Sequence, residues 1–209
     1  FVLAIVASKY GMDAAIAKAL LGLFGKRPKF VLLGFLIVIS VFSMFMSNTA
    51  TAAMMLAFLA PVLKSLPEDE TGKVGLALSI PVAANLGGIG TPIGTPPNAI
   101  ALGALENAGY TISFVDWMSR MVPYVIVMIA IAWVLLRLFF PFKSDRIELK
   151  IESKAGKKDW RTYVAWITFF VTILLWVTES LTGINSNIVA LIPLAVYTCT
   201  GVFSKEEIK

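Results

Sequence analysis

The 209-residue sequence has no histidine, a single cysteine (Cys199), and charge on only 15% of its residues. Without histidine, the commonest metal ligand and general base is missing, which argues against most zinc enzymes, haem proteins and membrane proteases. One cysteine permits neither a disulfide nor a thiolate metal framework. Set in an apolar run, Cys199 reads as a small buried residue. What replaces the missing charge is hydrocarbon: 58% of the residues are hydrophobic and the mean hydropathy is +0.83. A soluble domain of this size cannot cover so much apolar surface, so the solvent is lipid. The alternation of a membrane barrel is absent, leaving an all-α polytopic membrane protein. The net charge of +5 flanks apolar runs and forms no stripe with interleaved aromatics. It orients the chain in a membrane and gives no signal for nucleic acid.

The chain opens on FVLAIVAS (1–8), which reads as a truncated transmembrane helix, and closes on SKEEIK after an apolar run. We expect a piece of a longer, transporter-sized protein. Residues 9–29 place Ile16, Leu20, Leu23 and Phe24 at helical spacing beside Lys9, Lys18, Lys26, Arg27 and Lys29. That pattern predicts an amphipathic helix in the membrane interface.

The apolar run 30–63 holds the stretch MFMSNTATAAMM (44–55). As one helix the run measures about 50 Å, too long for a hydrocarbon core of ~30 Å and too short for two spans and a turn. Two half-length helices meeting at Ser47–Thr49 fit, so a re-entrant hairpin over 30–66 is expected, its tip at the midplane. Charge placement agrees. Lys26, Arg27 and Lys29 precede the run, and residues 143–161 carry seven basic residues (Lys143, Arg146, Lys150, Lys154, Lys157, Lys158, Arg161) against four acidic ones. Short basic loops lie on the cytoplasmic side, so an even number of crossings separates the two segments. Spans at 75–107 and 114–140 supply two, and the hairpin none or two. A cytoplasmic linker (141–159) leads to further spans at 160–181 and 187–203, with Trp160, Trp166 and Trp176 as interfacial anchors.

The span at 75–107 contains NLGGIGTPIGTPPNAIA (85–101). Gly87, Gly88, Gly90, Gly94 and Gly103 with Pro92, Pro96 and Pro97 do not make a continuous helix, so this segment is a broken helix. Irregular backbone at membrane depth persists only where it is buried in protein or lines a watery cavity. Two interrupted segments therefore point to a binding site. Freed carbonyls suit Na⁺, half-helix N–H groups suit an anion, and Asn and Thr add neutral donors. A plainer role is compatible: Asn48 or Thr49 capping the second half-helix, or hydroxyls joining helices. GGIGTPIG lacks the strand–turn–helix setting of a dinucleotide site, and no GK[ST] follows it.

SNTATAAMM, followed about forty residues later by GGIGTPIGTPPNAIA, resembles the first half of the divalent anion/sodium symporters, the dicarboxylate transporter family. The likeness extends to VALIPLAVYTCTGVFSKEEI near the end. The resemblance implies an inverted-repeat secondary transporter in which two Ser-Asn-Thr hairpin tips and two broken helices meet at the midplane. By resemblance, Asn48 and Thr49 contact a substrate carboxylate, and Ser43, Ser47, Asn48 and a carbonyl near Gly94 form a sodium site. Thr91, Thr95 and Asn98 are further neighbours. Ser43 stands one helical turn before Ser47, so both are expected to face one point. The resemblance also implies a homodimer, an elevator-like displacement and coupling to several sodium ions. A second Ser-Asn-Thr is absent; INSNIV (184–189) lacks the threonine. One repeat and the start of the next are therefore expected.

The function expected is sodium-coupled symport of a small, succinate-like dicarboxylate in a bacterial plasma membrane, with lipid as its other partner. Co-bound sodium offsets the cost of bringing a dianion into low dielectric. Transport of sulfate, citrate or arsenite is the nearest alternative. A structural or receptor membrane domain leaves the paired breaks unexplained. An intramembrane hydrolase with Ser47 as nucleophile lacks a base, so no enzyme activity is expected. Glu179 is expected at an interface, with Glu106, Asp116 and Arg120 flanking span ends.

Overall fold

The structure, a computed structural model, describes residues 2–147, 159–184 and 186–203, and every regular element among them is helical. α1 (Val2–Lys9) turns at Gly11 into α2 (Met12–Gly22). Gly11 has φ 67°, a left-handed conformation that glycine adopts without steric cost. α2 is shorter than the expected 9–29. It stops at Gly22, and the chain reaches Pro28 through Gly25, also left-handed. Its buried face is Met12, Asp13, Ala17 and Leu21, while Leu23 lies beyond the helix and is 79% exposed.

α3 (Pro28–Ser43) opens with proline at its first position, where the missing N–H costs nothing. Then follow α4 (Asn48–Ser65), α5 (Gly72–Gly88), α6 (Pro96–Asn107), α7 (Phe114–Phe139), α8 (Trp160–Val177), the single turn α9 (Glu179–Thr182) and α10 (Ser186–Cys199). Ser113 and Asp116 form a reciprocal capping box at the start of α7. The helix expected over 160–181 is divided at Thr178, and the turn after it closes on Gly183 at φ 68°. Of the expected linker, 148–158 lie outside the described residues, as do Asn185 in the α9–α10 connection and the final 204–209.

α7 and α8 are long and apolar enough to cross a membrane, and only 17% and 22% of their most apolar stretches are buried. Helices in the core of a soluble protein are covered; these present Ile126, Leu138, Phe139, Ile167 and Leu174 outward. Cys199 is exposed rather than buried, because α10 turns Val189 and Tyr197 inward instead.

Packing forms two hydrophobic clusters. One joins α2, α3, α4, α5 and the inner face of α7 around Leu32, Phe35, Ile39, Met55, Leu59 and Leu76. The other joins α1, α8, α10 and the start of α7, with Phe114 stacked on Trp176 at 5.4 Å and Tyr197 donating to the Ala165 carbonyl at 2.9 Å.

Residues 141–147 tie the helix ends of the first cluster together. Ile147 N–H donates to the Lys26 carbonyl, just before α3, at 2.8 Å. Glu70, 3% exposed in the α4–α5 loop, accepts the N–H groups of Lys143 (2.9 Å) and Ser144 (2.8 Å), the Ser144 hydroxyl (2.7 Å) and the Gly72 N–H (3.2 Å). The start of α3 and the end of α4 are thereby fixed to one stretch of chain, and the α3–α4 pair reverses at Met44–Ser47. At 16 and 18 residues, these helices are about 24 and 27 Å long, longer than half a bilayer and short of a whole one.

Candidate ion and substrate site

The two breaks in the first cluster lie against each other. α5 crosses α3 so closely that a Cβ on Gly87 would occupy the space of the Ser40 backbone. Beyond this crossing both helices end, α3 at Ser43 and α5 at Gly88. Polar side chains then replace the helical hydrogen bonds lost in the breaks. Thr91, fully buried, donates its hydroxyl to the Met44 carbonyl, linking one break to the other. Asn98, also buried, donates from Nδ2 to the Gly88 and Thr91 carbonyls, each at 2.8 Å. Trp117, in the first turn of α7, donates to the Ile89 carbonyl at 2.9 Å. The second break thus lies beside the start of α7.

At the junction a relay of amides fixes the direction of Asn48. Asn85 Nδ2 donates to the Pro81 carbonyl (2.9 Å), which leaves its Oδ1 to accept from Asn48 Nδ2 (3.0 Å). Asn48 Oδ1 is thereby aimed at Ser43, 2.8 Å from its Oγ. The Ser43 Oγ, however, also lies 2.7 Å from the Ala84 carbonyl. A serine hydroxyl carries one hydrogen, so three oxygens share a single proton. The carbonyls of Ser43 and Gly88 add to the crowd, both standing where a Cβ on Gly94 would go. Ser43 is the last residue of α3, where carbonyls lack intrahelical donors. Among the described residues no cluster of His, Cys, Asp and Glu could hold a metal. The junction instead offers neutral oxygens in excess of hydrogens, an arrangement that suits a small hard cation.

Of the residues singled out in the sequence, Ser43, Asn48 and Gly94 come together, and Thr91 and Asn98 buttress them. Thr95 sits at the cap position of α6 without a side-chain cap bond, its Cβ close to Gly88. Ser47 departs from the expectation of a shared helical turn with Ser43. The helix has ended, and Ser47 instead caps α4, its Oγ accepting the Ala50 N–H at 3.3 Å. Thr49 follows in the first turn of α4, exposed, so its hydroxyl is accessible to a ligand at the tip. Four contributors escaped the sequence reading: Asn85, Ser40 (Oγ to the Ala83 carbonyl, 3.2 Å), Trp117 and Thr51. Thr51 Oγ1 is buried with no hydrogen-bond partner among the described residues. Its signal was present, a third hydroxyl one turn behind Ser47; Trp117 gave none.

Glu179 takes no part in the junction. Its Oε2 accepts the Phe114 N–H at 2.7 Å, holding the start of α7.

The citrate transporter family matches residues 1–208. The sodium-dependent dicarboxylate transporter SdcS of Staphylococcus aureus (strain USA300) is 32% identical over 198 residues, covering 86% of this chain and 38% of that protein. Its namesake from Staphylococcus saprophyticus is 33% identical over 198 residues with the same coverage. The chain therefore spans well under half the length of these relatives. They are transporters and not enzymes, in keeping with the resemblance read from the two motifs. An all-helical membrane protein that matches from its first residues to its last but one, this chain belongs to the citrate transporter family.

Proposed function

We propose that the protein containing this chain is a sodium-coupled symporter of small dicarboxylates, succinate being the representative substrate. The observation that carries the reading is the oriented carboxamide of Asn48 facing Ser43 Oγ across 2.8 Å, with too few hydrogens for the oxygens present. A sodium ion among Ser43 Oγ, Asn48 Oδ1 and the carbonyls around Gly94 resolves that conflict. Thr49 and the free N–H groups at the start of α4 then face a substrate carboxylate, favoured by the helix dipole and by the adjacent cation. The relatives' name, sodium-dependent dicarboxylate transporter, points the same way.

Several further features belong to this proposal. The α3–α4 pair is a re-entrant hairpin, supported by the attachment of both its ends to residues 141–147. α5 and α6 are the halves of a broken transmembrane helix. The division of the packing into two clusters, bridged by α1, α2 and α7, supports an elevator-type mechanism, the first moving against the second. A second, inverted repeat completes the site, consistent with relatives of which this chain covers 38%. The outward apolar faces of α7 and α8 meet lipid and the other subunit of a homodimer, in a bacterial plasma membrane like that of the relatives' hosts.

The test is uptake of labelled succinate into proteoliposomes by the full-length protein under an inward sodium gradient, beside its Asn48→Ala variant. Uptake that needs sodium and is lost in the variant is expected. Sodium-dependent uptake that survives Asn48→Ala removes the site. Citrate is the second reading, favoured by the family match; unlabelled citrate and sulfate as competitors decide among substrates. Silence with all three returns the chain to a structural role.

A further inference from the structure

At the end of the bundle opposite the breaks, a cleft of about 540 Å³ opens between the start of α3 and the chain leaving α7. Arg27, Lys29, Arg137 and Arg146 line it, against one carboxylate, Asp145. None of the four cations makes an ion pair among the described residues, where the one salt bridge is Lys143 with Asp69. Their placement is held by other bonds. Trp133 Nε1 donates to the Lys29 carbonyl at 2.8 Å, Arg137 stacks on the Trp133 ring at 4.6 Å, and Ile147 N–H holds Lys26. The first turn of α3 forms one wall, so the positive end of its dipole adds to the field.

Four like charges gathered against a single carboxylate leave an excess of positive charge, and an anion in the cleft relieves their repulsion. Three of the four are arginines, whose planar forks match phosphate oxygens in pairs. The turns next to the cleft are apolar and exposed: Phe30 at 37%, Val134 at 46% and Leu138 at 70%. A soluble phosphate uses only the cleft. A phospholipid uses both, headgroup among the arginines and acyl chains along α3 and α7, as basic pockets between transmembrane helices do. We propose that this cleft binds the phosphate headgroup of an anionic phospholipid. The inference rests on the membrane location and is independent of the transport reading.

The experiment compares the full-length protein in nanodiscs of phosphatidylcholine with and without phosphatidylglycerol, reading the unfolding temperature and, by native mass spectrometry, retained lipid. Phosphatidylglycerol is expected to raise the unfolding temperature and to remain bound. The double variant Arg27→Gln/Arg137→Gln should weaken its retention at least tenfold while unfolding like the parent in pure phosphatidylcholine. If the double variant does not fold, Lys29→Gln/Arg146→Gln, at exposed side chains, replaces it with the same expectation. Inorganic phosphate added in detergent distinguishes the source. If it alone reproduces the full stabilisation, the occupant is soluble phosphate and the lipid assignment falls. Equal behaviour of the two lipids, or full phosphatidylglycerol retention by both variants, overturns the site.

Discussion

Adjacent glycines in α5 should respond to the same added methyl in opposite ways. A Cβ at Gly87 would enter the Ser40 backbone, its carbonyl oxygen and Cα, and a backbone does not rotate away. Overpacking costs about 1–3 kcal/mol, and against rigid backbone it falls at the upper end, so the ~1 kcal/mol by which alanine improves on glycine in a helix offsets only part of it. At Gly88 the Cβ would stand 2.6 Å from Asn48 Oδ1, the end of a side chain that can turn. Turning it breaks the contacts with Ser43 and Asn85, about 1 kcal/mol each, which the helical gain offsets in part. Gly88→Ala should therefore fold, with about 1 kcal/mol of stability lost. It removes one oxygen from the proposed cation site, and a dipole lost to a charge costs about 1.5–3 kcal/mol, a weakening of roughly 10- to 150-fold. The assay is thermal unfolding of the full-length protein in detergent, scanned with and without sodium. Gly87→Ala should lower the baseline unfolding temperature and keep a sodium-induced rise. Gly88→Ala should lower the baseline only slightly and lose the rise at moderate sodium. A Gly88→Ala protein with the parent's sodium response would refute the assignment of Asn48 Oδ1, and an unperturbed Gly87→Ala would refute the α3–α5 crossing.

Three further expectations concern side chains that hold the helix ends and breaks in place. Burial on its own would raise the pKa of Glu70, but the Ser144 hydroxyl and the N–H groups of Lys143, Ser144 and Gly72 outweigh it and hold the carboxyl below its ordinary 4.5. Its folded pKa being the lower one, Glu70 contributes stability above about pH 4.5 that is lost as pH falls through the folded value; Glu70→Ala should cost ~2–4 kcal/mol at pH 7 and flatten the acid limb of unfolding temperature against pH. Glu179→Gln should leave the sodium dependence of uptake unchanged and cost about 1 kcal/mol of stability, since an amide oxygen still accepts the Phe114 N–H; a lost cation response would assign Glu179 to the transport path. Asn98→Leu strands the Gly88 and Thr91 carbonyls and should lower stability by about 2–4 kcal/mol, seen as loss of monodisperse protein on gel filtration.

How far the sequence could be read depended on whether a feature was local. Pro28 and Pro96 announce helix starts through their own fixed φ, and the glycines and prolines of 85–101 exclude a continuous helix without reference to any neighbour. Ser43, Asn48 and Gly94 were nameable because the family's motif carries them. What was illegible is relational. The direction of Asn48 depends on Asn85 and Pro81, which lie one helix away. The position of the second break against α7 depends on Trp117, and the shared end of α3 and α4 on Glu70, both seen only once the helices pack. Ser47 misled because one turn of helical spacing was assumed across a point where the helix stops. Cys199 misled because an apolar run in lipid has no preferred inside.

The Glu70 attachment has a mechanical consequence. It joins the root of the α3–α4 pair to the start of α5 and the tail of α7, while Thr91 and Trp117 lock the same helices at the opposite end. Elements pinned at both extremities form a truss: they resist bending and hinge opening, and they translate as one piece. The elevator movement proposed above would carry these helices together. Its compliance would then lie where the start of α7 meets α8 and α10, in the second hydrophobic cluster.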